Sequence, residues 1–320
     1  ISKLPPLGDH HGIQGVLFSL SFHAATSKGE AVMTMHTCKM TLALACALSF
    51  LCSCASHGGS KGAESPCISE DCLNQIVNDF SAKDAEKYFF IRRAINRGFS
   101  LNDSSSRFRE NYAALATFVG EYDEAKSIYP LKQEAERNPT KTGFIYALPA
   151  NATVRALARG TRAVFVNEAH AIPRSRAAIY TLLQPLREEG YTYLAIEGLT
   201  VMASDENACS DAMIFDEGLS GRGYPLRKTG FYVREPIFGE VVREALRLGF
   251  KIVAYETSDT SYNSIGEREQ RLAQNLACVF KNNPDARVLT IDGLGHIDES
   301  SSTGAADGMM AARLKRNPNI

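Results

Sequence analysis

The feature that most constrains this chain is a change of period at about residue 145. From there short apolar runs alternate with longer amphipathic ones. Four runs, residues 162–167 (RAVFVN), 193–197 (YLAIE), 251–256 (KIVAYE) and 287–292 (RVLTID), read as strands. Between their charged or polar ends they are almost continuously apolar, as strands covered on both faces are. Three helical segments lie between them: SRAAIYTLLQPLREEG, EPIFGEVVREALRLGF and SIGEREQRLAQNLACVFKNNP, the last opened by a Ser264…Glu267 capping pair. Such alternation predicts an α/β fold, a mostly parallel sheet with helices on both faces. A chain of 320 residues, 44% hydrophobic and 22% charged, has ample material for that core.

In open α/β sheets the ligand crevice lies beyond the carboxyl ends of the strands. Every candidate strand here ends in acid. The first gives Glu168 and, two residues on, His170; the second gives Glu197, the third Glu256, and the fourth Asp292 followed by GLGH with His296. These groups are remote in sequence, yet the topology would gather them on one rim, where titratable groups become a candidate site. Arg268 shares the helical phase of Leu272, Asn275 and Val279 and lies in the first turn, so it is expected to face that rim.

Residues 198–235 form a connection far longer than an ordinary βα loop, of a length used for lids and binding loops. Its second half, GRGYPLRKTGFYVRE, carries Arg222, Tyr224, Arg227, Lys228, Tyr232 and Arg234. Lying over the rim, these would favour a substrate with anionic or carbonyl groups, and Tyr224, Arg227 and Tyr232 are expected to touch it. A net charge of -1 without long basic runs argues against nucleic acid as a partner.

Residues 69–140 read as a small helical subdomain. SAKDAEKYFFIRRAINRGF opens with a Ser81…Asp84 capping-like pair, and RFRENYAALATFVGEYDEAKSIYP breaks at Gly120. GEYDEAKSIYP resembles half of a tetratricopeptide unit, but no repeat occurs at that period.

The first 53 residues differ again. After Met35, one Lys precedes an apolar run of about 12 residues (residues 40–51), the length of a signal-peptide core rather than a bilayer span. It ends in LCSC, and a polar linker, residues 54–68, opens with CASHGGSKGAES. This resembles the lipobox of bacterial lipoproteins, which implies cleavage before Cys54, its acylation, and an exported domain tethered in the cell envelope and facing the periplasm. Of eight cysteines, Cys67 and Cys72 are spaced to close a small loop in such a compartment, while Cys209 and Cys278 are not paired by sequence. No zinc-type cysteine spacing occurs.

NEAH with Glu168 and His170, the strand-end Glu197, the EREQRLAQN helix with Arg268 and Asn275, and GLGH with His296 resemble the motif set of the erythromycin-esterase, ChaN and TIKI/TraB superfamily. The resemblance covers residues 160–313, about half the chain. Asn167 departs from the Gly common at that position, and the ending RLKRNPNI reads as truncated or frame-shifted. The resemblance implies an EreA/ChaN-like domain over residues 145–320 and, first, hydrolysis. His170 is then the general base on water, set by Glu168 or Glu197; Arg268 stabilises the oxyanion; His296 is a second acid/base; and Glu256 and Asn275 contact a small-molecule or peptide substrate. In a metal version Glu168, His170, Glu197 and His296 would hold Zn or Mn. The alternative is a haem- or iron-binding lipoprotein with Tyr232, Tyr255 or His296 as axial donor. In a third reading the site is inactive and the helical part recruits a protein partner.

Overall fold

A strip of strands with alternating side chains organises the chain, as the period-2 geometry of a strand requires. The structure, a computed structural model, describes residues 16–18 (backbone only), 68–79, 81–129, 149–199, 216–256, 264–293, 295–299 and 308–316. The lipobox-like Cys54, the linker up to residue 67 with Cys67, and Cys209 lie outside them.

In chain order the elements are β1 (Val16–Phe18), α1 (Glu70–Asn78), α2 (Asp84–Asn96), α3 (Ser106–Phe118), α4 (Tyr122–Ile128), α5 (Ala150–Ala158), β2 (Ala163–Glu168), α6 (Pro173–Glu188), β3 (Tyr193–Ile196), α7 (Leu219–Arg222), α8 (Pro236–Arg247), β4 (Lys251–Ala254), α9 (Ile265–Asn282), β5 (Val288–Gly293) and α10 (Met310–Lys315). The sheet is parallel throughout, in the order β1-β2-β5-β3-β4. The alternating pattern therefore yields the α/β architecture, and the expected strands are displaced by no more than two residues at either end. The short β1 falls in a stretch without periodicity, where the sequence suggests no strand.

Odd and even strand positions face opposite layers. Val164, Val166, Leu194, Ile196, Leu289 and Ile291 pack against Ile179, Leu183 and Leu186 of α6 and Phe238, Val241 and Val242 of α8. Ala163, Phe165, Tyr193, Ala195 and Val288 pack against Leu272, Leu276 and Val279 of α9 and Met310 and Leu314 of α10. Helix α9 starts as its sequence suggests, with the Ser264 hydroxyl accepting from the Glu267 N–H at 3.1 Å. Helix α2 does not: Ser81 turns back to Asp79 (2.6 Å), and Glu86 accepts from the Lys83 N–H at 3.1 Å instead. Asp79, two residues earlier, offers Ser81 a closer acceptor than the helix does.

Helices α1–α4 surround their own core of Leu73, Tyr88, Ile91, Phe108, Tyr112 and Leu115. Their contacts with the rest of the same compact unit lie at the strand-end side. Asp84 pairs with Arg227 (3.3 Å) and Arg234 (3.1 Å), the Tyr122 hydroxyl donates to Glu235 (3.3 Å), and Phe118 meets Phe231 edge-on. Through these contacts the helices lie against the connection that follows β3 and the start of α8.

Candidate functional site: two histidine–carboxylate pairs at the strand ends

Strand β2 ends in Glu168, and a tight turn carries the chain into α6. Ile172 N–H donates to Ala169 C=O (2.7 Å), Ala169 N–H donates to the Ser175 hydroxyl (3.2 Å), and Pro173 takes the first helical position, which needs no N–H donor. That turn folds His170 back on Glu168, whose carboxylate pairs with Nδ1. The other Glu168 oxygen accepts from Arg176 Nε at 3.1 Å.

Arg176 is fully buried and reaches three acceptors: Glu168, Glu235 (3.3 Å) and the His170 carbonyl (3.3 Å). Its guanidinium also lies over the Phe238 ring. Burial opposes ionisation of Glu168, but Arg176 and His170 outweigh it and hold its pKa below the ordinary carboxylate range.

The face of His170 is covered by Tyr232, with ring centroids 3.9 Å apart and planes 14° from parallel. Tyr232 arrives from the long β3–α8 connection, tied to the end of β3 by Phe231 N–H donating to Gly198 C=O at 3.0 Å. Gly198 has φ +74, and a Cβ there would stand 2.6 Å from the tyrosine ring, so both backbone and space call for glycine. With one face covered and Nδ1 occupied, Nε2 is the working edge of His170. It lies 3.6 Å from Glu110 Oε1, which α3 supplies. Burial resists the imidazolium, but Glu168, Glu197 and Glu110 overcome it and push the His170 pKa to about 9. At neutral pH the ring is charged.

A second cluster surrounds Glu197. Its Oε2 accepts from the Gly293 N–H at 2.6 Å, while Oε1 receives His296 Nε2 (3.1 Å) and Arg268 (3.4 Å). His296 Nδ1 in turn faces Glu269, whose other acceptor role is to the Met310 N–H at 2.9 Å. Burial works against both charges, yet the pairing depresses Glu197 strongly and raises His296 well above its ordinary value. Arg268 completes the group by pairing with Glu256, Nε to carboxylate at 2.9 Å. Gly293 separates the two clusters: a Cβ there would be 3.0 Å from both Glu197 Oε2 and His170 Nε2. Beneath it, Asp292 is fully buried beside the Tyr255 hydroxyl, and burial lifts its pKa to about 7.

The structure thus brings Glu168, His170, Glu197, Glu256, Arg268 and His296 to one rim, with Tyr232 over it. It does not bring the other expected contacts there. Asn275 donates to the Tyr255 carbonyl (2.8 Å) and braces the backbone. Tyr224 is 42% exposed beneath Arg222, and Arg227 is spent on Asp84 and the Ala82 carbonyl. Arg222 and Lys228 pair with Asp216, and Arg234 pairs with Asp84. The basic stretch therefore lends no free cation to the rim, because nearer carboxylates neutralise each one.

The metal version also fails on its donors. Among the described residues no group of three or more His, Cys, Asp or Glu side chains is arranged to hold an ion. The four expected ligands are already paired in twos or committed to Arg176, Arg268 and the Gly293 N–H. As haem donors, Tyr255 is engaged by Asp292 and both nitrogens of His296 face carboxylates, which leaves Tyr232.

Arg176, Glu235, Glu269 and Glu110 escape a reading of the sequence alone. Arg176 shares the stripe of Ile179 and Leu183, and Glu269 that of Leu272 and Leu276, so the phase argument that singles out Arg268 applies equally to them. Nothing local marks Glu110.

No protein-family model and no curated protein matches the chain. Among solved structures it is similar to one described as "The structure of the type III effector HopBA1", at 16% identity and TM-score 0.33 over 49% of this chain and 77% of that one.

Proposed function

We propose that this protein is a hydrolase whose proton-transfer group is Nε2 of His170. The observation that carries the reading is the confinement of that ring. Glu168 fixes Nδ1 and the tautomer, Tyr232 covers a face, and one nitrogen is left at the rim. Glu168, Glu197 and Glu110 raise its pKa to about 9 and favour the protonated ring, which suits a general acid rather than the base that the sequence suggests. His170 would donate its Nε2 proton to the leaving group as the acyl bond breaks. Arg268, paired with Glu197 and Glu256 yet 29% exposed, would be the cation that meets the developing oxyanion, and His296 keeps Glu197 ionised beside it.

The strand-end carboxylate, imidazole and guanidinium set supports an EreA/ChaN-like assignment for the α/β part, with the TPR-like reading of the helices as a lesser element of the same proposal. Export and lipid anchoring at Cys54 belong to the proposal as well. They are supported by Cys72 and Cys278, both disulfide-bonded, as oxidising compartments permit. No helix among the described residues is long and apolar enough to cross a membrane.

The test is titrimetric hydrolysis of ethyl butyrate at pH 7 by wild type and His170→Ala. A loss of about 100-fold or more is expected for removal of a general acid on a poor leaving group. A loss under tenfold, or no hydrolysis by wild type, overturns the reading.

A further inference from the structure

With Nε2 of His170 assigned to the leaving group, another group must take the proton of the attacking water. Each strand-end carboxylate has other duties. Glu168 is held by His170 and Arg176; Glu197 by the Gly293 N–H, His296 and Arg268; and Glu256 by Arg268. Glu269 lies between His296 and the Met310 N–H, and Glu235 caps α8 through the N–H groups of Ile237 and Phe238 while pairing with Arg176. Glu110 differs. Among the described residues its carboxylate makes no hydrogen bond, its side chain is 31% exposed, and Oε1 stands 3.6 Å from the open nitrogen of His170. That spacing is longer than a hydrogen bond, so the Glu110 carboxylate keeps its lone pairs for a water at the rim beside His170.

We infer that Glu110, delivered by helix α3, is the general base of this site and completes an acid–base pair with His170. The inference rests on the hydrolase reading above. The water bound between the two loses a proton to Glu110 as its oxygen bonds to the acyl carbon. His170 Nε2–H protonates the departing oxygen or nitrogen as that bond breaks, giving a carboxylic acid and an alcohol or amine. The proton on Glu110 then returns to His170 across the 3.6 Å gap or through solvent, and both residues are restored. On this account the helical segment is part of the active site rather than an accessory.

The two roles separate by leaving group. p-Nitrophenolate leaves without help from an acid, whereas ethoxide does not. Glu110→Gln should lower kcat about 100-fold or more on both p-nitrophenyl butyrate and ethyl butyrate, with KM within about twofold. His170→Gln should lose at least about tenfold more activity on the ethyl ester than on the p-nitrophenyl ester. Glu110→Asp, which keeps the carboxylate but draws it back, should recover part of the loss, and matching thermal melts show that the variants fold. If Glu110→Gln stays within threefold of wild type while His170→Ala loses activity on ethyl butyrate, the Glu110 inference is wrong and the hydrolase reading survives. If wild type and His170→Ala are alike, or neither ester is hydrolysed, both are wrong.

Discussion

Replacing Arg176 with Met tests the internal support of the site most directly. The guanidinium is fully buried and satisfies Glu168 at 3.1 Å, Glu235 at 3.3 Å and the His170 carbonyl at 3.3 Å. Met is shorter than Arg but close to it in volume, so the change removes charge and donors more than volume. Breaking one side of a buried ion pair costs about 3–5 kcal/mol because the partner charge is left behind. Here the two carboxylates keep other partners: Glu168 keeps His170, and Glu235 keeps the first N–H groups of α8 and the Tyr122 hydroxyl. The loss therefore falls at the lower end, about 3 kcal/mol. For a folded unit of this size that lowers Tm by about 6–12 °C. Urea unfolding at pH 7, followed by circular dichroism, measures it directly. Arg176→Lys should lose about half as much, since an ammonium cannot span the three acceptors. A change under about 0.5 kcal/mol for Arg176→Met would refute the claim that this guanidinium carries the support of Glu168 and Glu235.

The same geometry sets three more outcomes. His170, with a pKa raised to about 9, contributes stability that is fully present below its ordinary 6.5 and is lost as pH rises through about 9; the wild-type unfolding free energy should exceed that of His170→Gln by a few kcal/mol at pH 6 and converge on it by pH 10. Asp292 is also raised, to about 7, so wild type should lose stability relative to Asp292→Asn as pH rises from 4 through 7, and a gain relative to the variant over that range would contradict the burial argument. Gly293→Ala places a methyl 3.0 Å from Glu197 Oε2 and His170 Nε2, so kcat on ethyl butyrate should fall at least tenfold while Tm moves by under about 4 °C, and unchanged turnover would place the reaction elsewhere.

The sheet and its helices are legible in the sequence because both leave a periodic mark: continuous apolar strands such as VFV at residues 164–166, and the Leu272, Leu276 and Val279 stripe of α9. The rim is legible for a topological reason, since parallel strands deliver their last residues to one edge and Glu168, Glu197 and Glu256 stand there. Electrostatic pairing leaves no such mark. GRGYPLRKTGFYVRE looks like a cationic lid until Asp84, more than 140 positions from Arg227, and Asp216 turn its charges aside. Glu110 is equally hidden, because only the packing of α3 beside the turn at His170 gives a polar helix residue its neighbour.

The strand order has a consequence for how the molecule comes into being. Strands β2 and β3 do not pair with each other; both pair with β5, which is made about 90 residues after β3. A growing chain that holds β2, α6, β3 and β4 owns most of its apolar surface but lacks the strand that joins it. It must keep two unpaired strand flanks from other chains until residues 288–293 arrive, a long-range closure of the kind that slows folding and exposes chains to aggregation. The same six residues bring Gly293 between the two histidine clusters. Any chemistry the rim performs thus begins only when the sheet closes, and a nascent chain released before Val288 would carry His170 and Glu197 without ever bringing them together.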